Sequence, residues 1–200
     1  MTANRYMHGE PGRIITRTTE LVPAVLQEAI PDQEDRGDLK PGDFNPRGNC
    51  VHSSMVVRDV LRHYGLDAET VPVSVVVEAD HGESGIVSIP TGNFAGHMVT
   101  RVRFPGFGVL IDLTLQQFSD PSAGINPPPV AILGAPADRL DTVEIAVTPP
   151  GHGQIRYRLR PEMDDWQQLA AGLVGFDEAG HRQRIREMAE IVISRMREMR

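Results

Sequence analysis

Three side chains, Cys50, His97 and Asp112, have the types that acyl-transfer chemistry needs. A thiolate attacks a carbonyl, an imidazole takes and returns the proton, and a carboxylate fixes the imidazole in one tautomer. Cys50 is the only cysteine, so an internal disulfide and a zinc set built on several thiolates are excluded. It follows Arg47-Gly48-Asn49 and opens a helical pattern in which Ser53/Ser54, Val57, Val60/Leu61 and Tyr64 share its side. The thiol is therefore expected on the face that packs against the protein. At the first turn it also meets the positive end of the helix dipole, worth up to about 2 kcal/mol to a partly buried anion. Helix N-termini and a nearby imidazole both favour the reactive thiolate. A free cysteine is also among the most buried residue types and can serve as a small hydrophobe. Its partners decide between the two.

His97 opens the strand-like run HMVTRVRF, and Asp112 sits in the apolar run GVLIDLT, where a carboxylate is costly unless paired. The two runs read as a hairpin, His97–Phe104 and Val109–Leu113, around Pro105-Gly106-Phe107-Gly108. With a two-residue turn Phe104 faces Phe107 and His97 faces Thr114; with a four-residue loop Phe104 faces Val109 and His97 faces Gln116. In both, Asp112 shares a sheet face with His97, because side chains alternate with period two. Diagonal neighbours on one face lie about 7–8 Å apart at Cα, within side-chain reach. A three-residue loop puts them on opposite faces. Each residue also has a purely structural use, His97 as a satisfied strand-end histidine and Asp112 as a carboxylate capping turn amides.

The elements that must position these residues follow from the hydrophobic periodicity. Arg13–Ile30 is an amphipathic helix, with Leu21, Val22, Val25, Leu26 and Ala29 at helical spacing and Pro31 ending it. Residues 31–49 carry three prolines and three glycines and read as a long irregular segment. The second helix spans Cys50 to Tyr64, with Gly65 as its αL cap. Val71–Glu78 has five valines in eight residues and is expected to be a buried strand. A short strand at Ile86–Ile89, turn chemistry at PTGNFAG and weaker strands at 142–148 and 154–160 complete the sheet. Pro161 opens a mostly helical end, in which Ile185, Met188, Ala189, Val192, Met196 and Met199 recur at helical steps. Helix, helix, strands, helix argues for an α+β class with an antiparallel sheet. Residues 1–200 are expected to form one domain, with a core over about 13–160 and a helical C-terminal segment over 161–200.

GNCVHSSMVVRDVLRHYGLDA, GHMVTRVRF and GVLIDLTLQQF, in that order, resemble the transglutaminase-like branch of the papain fold. There a cysteine opens a helix packed on an antiparallel sheet, and the histidine and aspartate come from successive strands. Asp112-Leu113-Thr114 with Gln116-Gln117-Phe118 resembles the aspartate strand of such enzymes, and bacterial papain-like deamidase effectors end similarly. The resemblance covers about residues 44–118. It departs from the pattern in lacking Cys-Trp and His-Ala-Trp pairs, and the single tryptophan, Trp166, lies far away in sequence. Arg47-Gly48-Asn49-Cys50 faintly resembles the Arg-Gly-Gly-x-Cys of arylamine N-acetyltransferases, though that family's longer C-terminal part is not evident.

The resemblance implies a papain-like fold and a cysteine peptidase, amidase, deamidase or acyltransferase working through a thioester, with Cys50, His97 and Asp112 as the catalytic group. The oxyanion donors would be the Cys50 backbone N–H with Asn49 or Asn45, and Gln116 or Gln117 would contact substrate or support the catalytic group, the plainer reading being a surface glutamine. The expected partner is a peptide, protein or amide substrate, with no cofactor. The competing reading is a non-catalytic binding module on the same fold.

Other signals lead elsewhere or nowhere. A formal charge of −7, with Lys40 the only lysine, argues against a nucleic-acid partner. The opening MTANRYMHGEPGR has no apolar signal core and no run approaches about 18 apolar residues, so no membrane partner and a cytoplasmic location are expected. Cys50, His52, His97 and Asp112 do not read as a metal site, since Cys-x-His at a helix start points its side chains roughly 200° apart. His63, His81, His152 and His181 are expected to face solvent. The C-terminal methionines suggest core or homo-oligomer contacts rather than a cofactor site.

Overall fold

A computed structural model describes residues 7–29, 50–79, 82–86, 97–140, 144–147, 154–159 and 178–199. Helix α1 (Glu10–Ala29) is followed by α2 (Cys50–His63), then strands β1 (Asp67–Ala79), β2 (Gly82–Ile86), β3 (His97–Phe104) and β4 (Phe107–Asp112). Two 3₁₀ turns (Leu115–Phe118 and Pro121–Ala123) lead to β5 (Ala131–Pro136), the short helix α3 (Ala137–Leu140), β6 (Glu144–Val147), β7 (Gln154–Leu159) and helix α4 (Glu178–Glu198). The class is α+β.

Among the described residues, seven strands join one antiparallel sheet in the order β5-β4-β3-β1-β7-β6, with β2 also paired to β1. β1 is the organiser because it is long, with 13 residues. Its first half pairs with β3 (Asp67↔Arg103 to Val73↔His97) and its second half with β2 and β7 (Val75↔Ile86, Val75↔Tyr157). The sequence pattern had suggested only Val71–Glu78. Ala68 extends the inward alternation, and Arg101 and Arg103 both pair with Glu69 across the ladder.

Alternation along the strands makes two cores. Ala68, Val102, Val109 and Ile111 face the helices and are buried with Val22, Val25, Val57, Val60 and Leu61. Val71, Val73, Val75, Val77, Val99, Leu110 and Tyr157 face the other way and are covered by Leu115, Phe118, Ile125 and Leu140. Burying each such side chain contributes about 1.5–3 kcal/mol. α4 lies in the helical layer, burying Ile185, Met188, Ala189, Val192, Ile193 and Met196 against α1 and α2. Its apolar stripe is thus used within the chain. Met199, expected on that stripe, is 47% exposed beyond the last helical turn, and Ala29 is exposed at the end of α1.

Several expectations need correction. A short strand spans Gly82–Ile86, four residues of which the sequence pattern left out of any strand, because these polar residues pair with β1 (Ala79↔Gly82) despite their low strand propensity. Residues 87–89 lie outside the described set. β5 and α3 follow the triple proline 127–129, a stretch for which the sequence pattern suggested no element, and β5 exists because it pairs with β4 from Phe107↔Pro136 to Asp112↔Ala131. His181 is buried at the start of α4, edge-on to His52 with ring centroids 4.7 Å apart. His63 is exposed, whereas His81, His152 and residues 161–177 lie outside the described set. Among the described residues no helix is long and apolar enough to cross a membrane.

Candidate functional site

The β3–β4 hairpin sets the register of the site. Phe104 pairs with Phe107 across the two-residue loop Pro105-Gly106, and Gly106 has φ 74°. Pro followed by a glycine at positive φ is the pattern of a type II turn. Thr100 pairs with Ile111 on the same ladder, so Asp112 lies on the His97 side of the sheet, diagonal to it. His97 Nε2 stands 2.8 Å from Asp112 Oδ2, and both side chains are almost wholly removed from solvent.

Cys50 reaches this pair from the helix side. The second turn of α2 is tied to the start of β3 by two bonds at Ser54. Ser54 Oγ donates to the Met98 carbonyl at 2.8 Å, and Thr100 Oγ1 donates to the Ser54 carbonyl at 2.9 Å. At its other end α2 stops at Gly65 (φ 78°), with Leu66 N donating to Leu61 O at 3.0 Å as a Schellman cap. These anchors fix where the helix begins. Cys50, its first residue, is 6% exposed and packs on Met98 and Val51.

The Asp112 carboxylate accepts from four donors. Oδ2 takes His97 Nε2 and the Tyr157 hydroxyl at 3.0 Å; Oδ1 takes the Thr114 backbone N–H at 2.9 Å and its hydroxyl at 3.3 Å. Burial alone would raise its pKa, but the charge and hydrogen bond of His97, with the Thr114 and Tyr157 bonds, hold it below the usual carboxylate range. For His97 burial opposes the charged ring, yet the Asp112 charge and hydrogen bond, followed by a hydrogen bond and charge interaction with Cys50, raise its pKa to about 10. Burial and the adjacent carboxylate push the Tyr157 phenol well above its ordinary value, so it stays a neutral donor.

The other ring nitrogen, Nδ1, lies 2.8 Å from the Gln117 carboxamide nitrogen, and the Phe118 ring meets His97 edge-on at 5.3 Å. Gln117, not Gln116, therefore meets the histidine. The 3₁₀ turn Leu115–Phe118 sends Gln116 out to solvent, where it is exposed, and buries Leu115 and Phe118. Asn45 and Asn49 lie outside the described residues. His52 does not join the group; its Nδ1 is buried without a hydrogen bond, and burial followed by the charges of His181 and Arg184 lowers its pKa to about 4.

Tyr157 and Thr114 were missed from sequence. The alternation of QIRYRL sends Tyr157 inward with Ile155, and a buried phenol needs a partner. Asp112-Leu113-Thr114 carries the Asx-turn pattern, in which the carboxylate caps the amide two residues on. Here one carboxylate performs both the capping and the pairing.

No protein-family model and no curated protein matches the chain. Among solved structures it is similar to a crystal structure described only as a genomics protein, with a TM-score of 0.48 and 15% identity over 91% of this chain and 78% of that one. That likeness bears on neither mechanism nor substrate.

Proposed function

We propose that this chain is a cysteine-dependent acyl-transfer enzyme of the transglutaminase-like, papain-like type, acting on an amide or ester carbonyl. The observation that carries the reading is the buried His97–Asp112 pair at 2.8 Å, with Cys50 at a helix start against the same ring. A structural histidine has little need of a buried carboxylate, a phenol and a thiol together.

The chemistry follows from those contacts. His97 Nδ1 takes the Cys50 proton while Asp112 holds Nε2–H, and the thiolate attacks the carbonyl carbon. The oxyanion is received by the Cys50 backbone N–H, one of the amides a helix start leaves without an intrahelical acceptor. The tetrahedral intermediate collapses to a thioester, and His97 returns its proton to the departing amine or alcohol. Water then yields the acid, or an amine yields a new amide, and the thiol is regenerated. Peptidase, deamidase, transglutaminase-like and arylamine N-acetyltransferase-like activities differ only in donor and acceptor. Low exposure of the thiol also suits a binding module on the same fold, so reactivity must separate the two.

Labelling with iodoacetamide at pH 6 tests the reading. Cys50 should react far faster than a free thiol, and His97→Asn should abolish the excess. A rate equal to that of a free thiol would remove the enzymatic reading and leave the binding module.

A further inference from the structure

Gln117 holds a position that the acyl-transfer scheme leaves unexplained. Its carboxamide sits 2.8 Å from Nδ1, the nitrogen that must take the Cys50 proton. Nδ1 of a neutral ring has one lone pair, because Nε2 carries the proton donated to Asp112. If the Gln117 N–H occupies that lone pair, the thiol proton has nowhere to go. A half-turn of the carboxamide exchanges its nitrogen and oxygen and changes little else. The oxygen then accepts Nδ1–H of a charged ring.

The surrounding turn permits that half-turn and little other movement. Leu115 and Phe118 are anchored in the core, Gln117 N donates to Thr114 O at 3.1 Å, and Phe118 braces the ring edge-on. Gln117 itself is only half-buried. Among the described residues, the titratable groups facing His97 are Asp112 from β4 and Cys50 from α2, with Tyr157 of β7 acting through Asp112. Gln117 is thus the uncharged partner that can favour either ring state.

We propose that Gln117 is a positioning residue acting as a two-way latch on His97, its oxygen holding the imidazolium of a Cys50–His97 ion pair and its amide nitrogen holding the neutral ring left once that proton has been passed on. The inference rests on the acyl-transfer reading of the site. The step moves one proton from Sγ to Nδ1 and turns one carboxamide; no bond to carbon changes and no co-reactant is needed.

The test is the pH profile of Cys50 alkylation by iodoacetamide, read beside the ¹⁵N resonance of His97 Nδ1 in histidine-labelled protein. Wild type should react at pH 6 with Nδ1 protonated. Gln117→Met, close in shape but unable to bond Nδ1, should move the profile up by about one pH unit and slow labelling at pH 6 about tenfold, because the bond lost to the charged ring is stronger by about that much than the bond lost to the neutral one. The alkaline plateau should be unchanged. Gln117→Ala repeats the comparison should the methionine variant not fold. A wild-type profile shifted to acid that either folded variant reproduces would overturn the latch and leave the acyl-transfer reading standing. A wild-type profile of an ordinary thiol, with neutral Nδ1, would overturn both.

Discussion

At the scale of single residues, the pair His97–Asp112 concentrates the electrostatics of the molecule. The ring's folded pKa of about 10 lies above the ordinary histidine value of 6.5. Its contribution to stability is therefore fully present below about pH 6.5 and fades as pH rises through 10. Asp112 is shifted down, so its contribution is present above the ordinary carboxylate range and fades as acid protonates it. Asp112→Asn removes the counter-charge while keeping the shape. It should cut Cys50 alkylation at pH 6 by at least about tenfold, one pH unit's worth of thiolate, and flatten the alkaline decline in unfolding free energy. Unchanged labelling would mean the carboxylate serves only the turn. Tyr157→Phe removes one of four donors to a buried charge and should cost about 1.5–3 kcal/mol in urea denaturation. A loss below about 0.5 kcal/mol would show that the other donors replace it.

At the scale of elements, the site depends on where α2 begins relative to β3, and the Ser54–Met98 and Thr100–Ser54 bonds set that. Thr100→Val keeps the strand side chain's shape and removes the donor. It should lower stability by about 1 kcal/mol and slow Cys50 labelling with it; lost stability at unchanged labelling would show a tie that holds the helix without aiming the thiol. Much of this layer was legible in the sequence. The helical stripe from Cys50 to Leu61 and the alternation through His97–Phe104 fixed the faces, and Pro105-Gly106 gave one of two turns compatible with a shared face. What periodicity could not give was partner-dependent structure. β2 and β5 form because β1 and β4 offer open edges, not because GESGI or AILGAP prefers extension. Gln117 rather than Gln116 meets His97 because a 3₁₀ turn, and not a continued strand, follows Asp112, and period-two counting stops being valid there.

At the scale of the whole molecule, the α1–α2–α4 layer brings together residues that are far apart in the chain, and the same layer carries an acid-sensitive contact. His52, two residues after Cys50, meets His181 at the start of α4 with Arg184 nearby. Both rings are pushed down, His52 to about 4, by burial and then by neighbouring positive charge. Since the unfolded chain binds protons near pH 6.5 and folded His52 only near 4, stability is fully present above about pH 6.5 and drains away between there and about pH 4. The His52 share is of the order of 3 kcal/mol. His52→Leu removes that titration and leaves the neighbouring face apolar, so its unfolding free energy should fall less than that of wild type between pH 7 and pH 4. Parallel curves for the two proteins would place the acid sensitivity in the carboxylates instead. The result also bears on the site, because α2 carries both Cys50 and His52 on its first turn. If acid loosens α4 from that turn, Cys50 labelling should lose its aim over the same pH range in wild type and keep it in His52→Leu.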